Sequence, residues 1–467
     1  MLGNRLVFYL KTFIKNNLFY FCSAHPDPNL QLLWNISELG IFILPLFPSV
    51  GAVTLGLVMI ATAVKKYREV INIPINKAFF ALSILLIFTC IFAVDKSSAF
   101  LGLFNFLPFF LFFAVFSTLF KSVSQLRQIA WILIITSIPI AISGLGQLYS
   151  GWSTPKWWFN IFGWAIASGG NPVGRMASVF MYANIFAGYV VIIFTLALGL
   201  WLENLYLLKS FYSSNSSFNS NLKLNLSLSK NTVIKRFIFI SIAVLLNFIS
   251  LILTNSRNAW VIALVVCLGY AIFQGWRILV TGVCAIATSV ILAAFAPTGI
   301  AQLFRKVIPQ YFWARLNDQM FSDRPVALMR STQWNFTWSM TQQRPLTGWG
   351  LRNFTSLYES KMGLWLGHPH NLFLMLSAEA GIIASLFFYG LLLWIILNSF
   401  RYLKRSKNIY ENDKIIFFSY LMVSLCWILF NTVDVSIFDL RLNTLTWFLT
   451  AAIFGISRTQ EKYINPI

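Results

Sequence analysis

The feature that most limits what this chain can become is a succession of apolar runs, each close to the length of a bilayer crossing. Twelve can be read, at about 32–47, 49–64, 77–94, 97–120, 127–149, 177–201, 236–254, 256–273, 277–296, 371–398, 414–433 and 438–456. At 1.5 Å of rise per residue, about 20 apolar residues span the roughly 30 Å hydrocarbon core. No water is available there to satisfy backbone N–H and C=O groups, so the runs must be helices. The expectation is an all-α polytopic membrane protein of about 12 transmembrane helices, with a large, partly helical outer-face loop between helices 9 and 10. Composition agrees: 58% of residues are hydrophobic and 10% charged, so the 467 residues read as one membrane domain.

The net charge of +21 would suit a nucleic-acid partner, but its distribution argues against one. With the N-terminus placed inside, 22 of the 35 Lys and Arg residues fall in inner segments. Eight of the 13 others lie in the one long loop, to which the positive-inside rule gives little weight. This predicts a multi-pass protein of the plasma (inner) membrane with both termini cytoplasmic. The expected divisions are a cytoplasmic segment at 1–31, helices over 32–296, an outer-face (periplasmic) loop at 297–370, helices over 371–456 and a tail at 457–467. Residues 1–31 lack a compact apolar core followed by a small-residue cleavage site, so they read as a leader that stays inside or lies on the membrane. The five cysteines are scattered without metal-site or disulfide spacing.

The two long loops differ. The inner one, at 202–235, is rich in Ser, Asn and Lys and reads as low-complexity, with no chemistry expected of it. The outer one, at 297–370, intersperses Trp313, Trp334, Trp338, Trp349 and Trp365 with six arginines. Ser322-Asp323-Arg324-Pro325 there predicts a helix start, and the run to about Gln343 a helix with Trp334 and Trp338 on one face. This loop is expected to be an ordered cap.

Residues able to do chemistry gather on the outer side. Arg175 follows Asn171-Pro172-Val173-Gly174 just before a helix, where a cation opposes the helix dipole. It reads either as an interfacial arginine on lipid headgroups or as an anion-binding arginine facing a cavity. Arg257 is pinched between two apolar runs, where a charge usually faces an interior or aqueous site. Its guanidinium suits bidentate phosphate binding; the plain alternative is a snorkelling hairpin arginine. Two of the three histidines, His368 and His370, precede Asn371 at a loop–helix junction, and imidazole can accept a proton near neutral pH. No metal-site spacing accompanies them, so no metal is expected. Glu379 lies about two and a half turns into the following apolar run, where an ionisable group needs a partner; an arginine at the site is the expected one. Asp434, Asp439 and Arg441 at the last outer turn read as structural pairing.

His370-Asn371, nine intervening residues and then Gly381 resemble the H-N-x9-G signature of the O-antigen ligase superfamily. That pattern continues with two residues and then Gly, Thr or Tyr; this chain departs from it with Ala384. Arg175 and Arg257 stand where the superfamily carries two outer-face arginines. Gly174-Arg175-Met176-Ala177-Ser178 and Thr254-Asn255-Ser256-Arg257-Asn258-Ala259-Trp260 are most similar to its cyanobacterial branch, described as inorganic-carbon (bicarbonate) transporters. The resemblance implies metal-independent, inverting transfer of a glycan from undecaprenyl pyrophosphate to an acceptor hydroxyl, such as one on a lipid A-core, with no cofactor. It implies Arg175 and Arg257 as pyrophosphate ligands and His370 as base, with His368, Asn371 and Glu379 in support. The other reading is a bicarbonate transporter or accessory membrane protein. The charged residues gather on one face, and the outer loop is large, which favours a bulky substrate over a small anion.

Overall fold

The computed structural model describes residues 24–212, 229–316, 325–405 and 411–464, and every regular element among them is helical. Most of the expected leader, the Ser-rich centre of the inner loop and Ser322-Asp323-Arg324 lie outside the described residues. The first half of the bundle comprises α1 (Gln31–Ile43), α2 (Pro48–Asn72), α3 (Pro74–Ile91), α4 (Lys96–Gly102), α5 (Leu107–Leu119) and α6 (Val123–Tyr149). After the short α7 (Lys156–Phe162) come α8 (Ala183–Tyr212), α9 (Lys230–Leu253), α10 (Arg257–Phe273) and α11 (Arg277–Phe295). A cap follows: α12 (Thr298–Arg305), α13 (Gln310–Leu316), α14 (Arg330–Gln343) and α15 (Asn353–Met362). The chain then re-enters the bundle with α16 (Leu372–Ala380), α17 (Ile382–Arg405), α18 (Glu411–Phe430) and α19 (Leu440–Ile464).

Nine of these described segments are long and apolar enough to cross a membrane, with α4 and α5 taken as one. The chain is thus a multi-pass membrane protein, but three of the twelve runs do not meet that measure. Run 32–47 forms only the 13-residue α1, and run 256–273 the 17-residue α10. Run 438–456 becomes α19, whose buried Asn443, Thr444, Thr446 and Thr450 lower its mean hydropathy because it faces protein instead of lipid. The first two runs form a hairpin. A Cβ on Gly51 would stand 2.5 Å from Leu44 Cα, and one on Gly40 would stand 2.9 Å from Leu55, so α1 and α2 lie side by side. The inner loop is shorter than expected, because α8 runs on to Tyr212 and α9 starts at Lys230.

The bundle centre is built on close approach. A Cβ on Gly199 of α8 would meet Ser419 Oγ of α18 at 1.8 Å. At that contact Tyr270 Oη of α10 donates to Thr195 O, and it is also 2.8 Å from Ser419 Oγ. Gly455 of α19 likewise lies against the Ser117 carbonyl of α5. In an apolar solvent, such small-residue contacts and interhelical hydrogen bonds drive association. At one end of the bundle, Arg127 of α6 bridges Glu203 of α8 and Asp413 of α18 at 2.6 and 2.7 Å. The catalytic candidates lie at the other end.

The cap has its own small core of Met340, Phe354, Tyr358 and Ala378. Its helix begins at Arg330, later than the sequence suggested: a 3-10 turn at Val326–Leu328 and an extended Met329 come first. Tyr358 Oη holds that turn through the Ala327 carbonyl. The run at 371–398, read as one helix, is broken at Gly381 (φ 86°, ψ 157°). The break is where the cap attaches. Trp349 N donates to Ala378 O, Gly350 N to Glu379 O and Ile382 N to Pro345 O, at 2.8–2.9 Å. A Cβ on Gly381 would stand 2.2 Å from Leu346 O, so the position must be glycine on both conformational and steric grounds.

Candidate active site

Four junctions meet at the cap end: the loop before α8, the α9–α10 turn, the loop before α16 and the α18–α19 turn. The first three of these, with the start of α14, line a cavity of about 420 Å³. Arg175, Arg257 and His370 all line it, so the three residues that the sequence singled out are brought together.

Arg175 is placed by a tight turn. Its peptide N–H donates to Pro172 O and its carbonyl accepts from Asn171 N. Gly170 (φ 92°) admits this wrap, since a Cβ there would stand 2.2 Å from Arg175 O. The guanidinium donates through Nε to Thr254 O and through Nη2 to Asn184 Oδ1. It thereby ties the start of α8 to the turn carrying the second arginine. Arg257 is the first residue of α10, with Ser256 as the extended residue before it. Both line the cavity, so a guanidinium stands beside a helix N-terminus, where unpaired N–H groups and the dipole favour an anion.

His370 is held from two sides. Trp334 Nε1 of α14 donates to Pro369 O, and Asn371 caps α16 by accepting from Leu374 N. Asn371 also donates to Thr432 O of the α18–α19 turn. Held this way, His370 adopts φ 54°, a conformation costly for a residue with a Cβ, as does Asn255 at φ 52° across the cavity. Such strain persists where surrounding contacts over-determine it, and it clusters at functional sites.

Asp434 completes the arrangement. Its Oδ1 lies 3.1 Å from His370 Nδ1 and 3.9 Å from His368 Nε2, and its Oδ2 accepts from Asn184 Nδ2 at 3.0 Å. Asp434 is therefore not part of the structural pairing expected at this turn. That reading holds for Arg441, which bonds Asp439 and Val179 O and sits over Phe180. Continuous bonds now run from Arg175 through Asn184 and Asp434 to His370. With Nδ1–H donated to the carboxylate, His370 presents Nε2 as a proton acceptor, the base–orienter geometry of acyl-transfer triads. Burial works to raise the Asp434 carboxyl, but the hydrogen bond from His370 and the nearby imidazoles outweigh it and hold the acid below its ordinary range.

His368 sits behind this pair, its ring edge-on to His370 and stacked on Phe438. Burial, with His370 and Arg330 nearby, pushes its pKa down to about 4 against the pull of Asp434, so the ring is neutral. His368, His370 and Asp434 each offer an atom within 4.8 Å of the others, close enough to share a cation. The hydrogen bonding favours a different use. His368 Nδ1 accepts from His370 N at 3.2 Å, so the proton of the neutral ring resides on Nε2, the atom facing Asp434. A protonated nitrogen has no lone pair for a metal.

Glu379 does not reach the cavity. Its carboxylate accepts from Phe354 N at the start of α15, so its partners are peptide N–H groups of the cap instead of a site arginine. Asn371 acts as a helix cap behind His370. The residues that sequence reading did not place at the site are Asp434, Asn184, Arg330 and Gln333, the last two brought to the cavity wall by α14. Asp434 and His370 are 64 positions apart, and nothing in their spacing links them.

No curated protein matches the chain. Residues 242–389, which include Arg257, the cap, His368, His370 and Gly381, match the family model described as O-antigen ligase, a match that supports the O-antigen ligase superfamily and a membrane glycan-transferring role for this chain.

Proposed function

We propose that the chain transfers a glycan from a polyprenyl pyrophosphate, undecaprenyl pyrophosphate in the bacterial case, to an acceptor hydroxyl at the outer face of the plasma membrane. The convergence of Arg175, Arg257 and His370 on one cavity carries this reading. The two guanidiniums and the α10 N-terminus bind the pyrophosphate and stabilise the charge that grows on it as it leaves. His370 Nε2 takes the proton from the acceptor hydroxyl. That oxygen attacks the anomeric carbon, the bond from carbon to pyrophosphate oxygen breaks, and the polyprenyl pyrophosphate departs. One displacement inverts the anomeric centre. No step calls on a metal, since His370 supplies the base and the arginines the positive charge. The prenyl tail lies among the apolar helices, and both termini face the cytoplasm. The acceptor is a glycan or a lipid A-core-like molecule entering beneath the cap.

The likeness to the cyanobacterial branch rests on the two segments that present Arg175 and Arg257. Bicarbonate transport has less support, because the site's charged groups sit at one end of the bundle and trace no path through it. The test is deletion of the gene followed by analysis of surface polysaccharide. Polysaccharide is expected to be lost, restored by the wild-type chain, and not restored by His370→Ala or Arg257→Ala. Intact polysaccharide with lost bicarbonate uptake would overturn the proposal.

A further inference from the structure

At the bundle end opposite the catalytic cavity there is a second cavity of about 420 Å³, lined by Arg68, Glu69, Asn72, Ile73, Pro74 and Arg458. Sequence-distant segments supply its charge. Glu69 Oε1 receives both Lys121, at 3.1 Å, and Arg458. The one carboxylate is thus shared by two cations, and Arg68 at the rim adds a third. Arg68 donates through Nε to Tyr67 Oη, and its charge is not met by an acid in the described contacts. Three cations against one anion leave the group at +2.

The setting selects among anions. The α2–α3 corner brings Ile73 and Pro74 into the cavity wall. Beside it, Ile71 and Phe80 are 61% and 68% exposed on helices apolar enough to cross a membrane, so the cavity opens where the lipid-facing surface begins. The basic residues of the short loops collect at this same end, the expected inner face. A soluble anion would gain nothing from the apolar wall, whereas a phospholipid could place its phosphodiester among the arginines and its acyl chains along α2 and α3.

We infer that this cavity is a binding site for an anionic phospholipid headgroup, on the opposite side of the membrane from the catalytic cavity and independent of the reaction proposed there. Juxtamembrane basic residues are worth about 1 kcal/mol each toward anionic lipid, or roughly fivefold in affinity.

The test is lipid retention by the purified full-length chain in detergent, read by native mass spectrometry with phosphatidylglycerol, phosphatidylcholine or inorganic phosphate. The wild-type chain should retain roughly 30-fold more phosphatidylglycerol than phosphatidylcholine, about fivefold for each of the two net positive charges. Arg68→Gln should remove most of that preference without changing the melting temperature, since Arg68 is exposed and holds no ion pair among the described residues. Arg458→Gln should remove it too, with some loss of stability because Glu69 loses a partner. Equal retention of the two lipids, or an unchanged preference in Arg68→Gln, would overturn the inference. Displacement of phosphatidylglycerol by millimolar inorganic phosphate would also overturn it, assigning the cavity to a soluble phosphate.

Discussion

His370 Nδ1 and Asp434 Oδ1 stand 3.1 Å apart, joining the loop that leaves the cap to the turn between the last two helices. The contact gives the imidazole both an orientation and a tautomer. Asp434→Asn keeps the shape but removes the charge that stabilises the imidazolium formed during proton transfer. Glycan transfer should fall about 10²- to 10⁴-fold, the usual range for losing effective general-base catalysis. Measured in membranes with a lipid-linked donor, the loss should appear in kcat with donor KM little changed. A variant with wild-type kcat would remove Asp434 from the reaction.

Arg175 and Arg257 should respond differently to lysine. Both would lose planar, bidentate recognition of phosphate. Arg175 also holds Thr254 O and Asn184 Oδ1, so Arg175→Lys releases the α9–α10 turn as well as a substrate contact. Arg257→Lys should lower kcat about 100-fold, the lower end of the range for one transition-state donor. Arg175→Lys should lower kcat similarly and raise the donor KM. Equal, small effects from both would favour arginines that serve lipid headgroups.

The fold class was legible because hydrophobic run length is a local property, and each run carries its own helical answer. Arg175, Arg257 and His370 were legible because charge is rare in apolar sequence and stands out by cost alone. Asp434 was not, since its partner lies 64 residues away and an acid at a helix turn has a ready structural explanation. Glu379 misled for a related reason. Its burial did require a partner, but peptide N–H groups of α15 satisfy the carboxylate as well as an arginine would. The break at Gly381 was hidden because the apolar run continues unaltered through it; only the cap segment at 345–350 docked across it makes it necessary.

Acid should loosen the site before it unfolds the bundle. His368 titrates near 4 in the folded chain against an ordinary value of 6.5, with burial the main cause. The unfolded chain therefore takes up a proton that the folded chain refuses, and stability is lost as pH falls from about 6.5 toward 4. Asp434 is also held below its ordinary value, so its contribution is present above about pH 3.9 and is lost as pH falls further. Thermal melting followed across pH 4–7.5 should show a fall that His368→Gln reduces. The same slope in both chains would show that His368 is not the group responsible.

Arg127→Ala tests the far end of the bundle. Removing this guanidinium takes from the buried Glu203 the cation it is bonded to at 2.6 Å, a loss on the order of 3–5 kcal/mol. Melting in detergent should drop sharply, and donor affinity per folded molecule should stay unchanged, because the cavity is at the opposite end. Replacing Glu203 and Arg127 together by apolar residues of similar volume should recover much of the loss.

Gly381→Ala separates the two duties of the spacing from His370 to Gly381. If that glycine served only to bend a helix, alanine would cost the strain of holding φ 86°, ψ 157°, about 1–3 kcal/mol. Its Cβ would also meet Leu346 O at 2.2 Å, where Ile382 N bonds to Pro345 O, so the cap segment must move away. That movement reaches the cavity, because the same cap carries Trp334, whose indole holds Pro369 beside His370. The variant should therefore become sensitive to proteolysis within 345–350 and lose transfer activity by more than tenfold while the membrane bundle stays folded. Pro345→Ala, which leaves the carbonyl acceptor in place, should do neither. Full activity in Gly381→Ala would mean that the cap is not needed to hold His370.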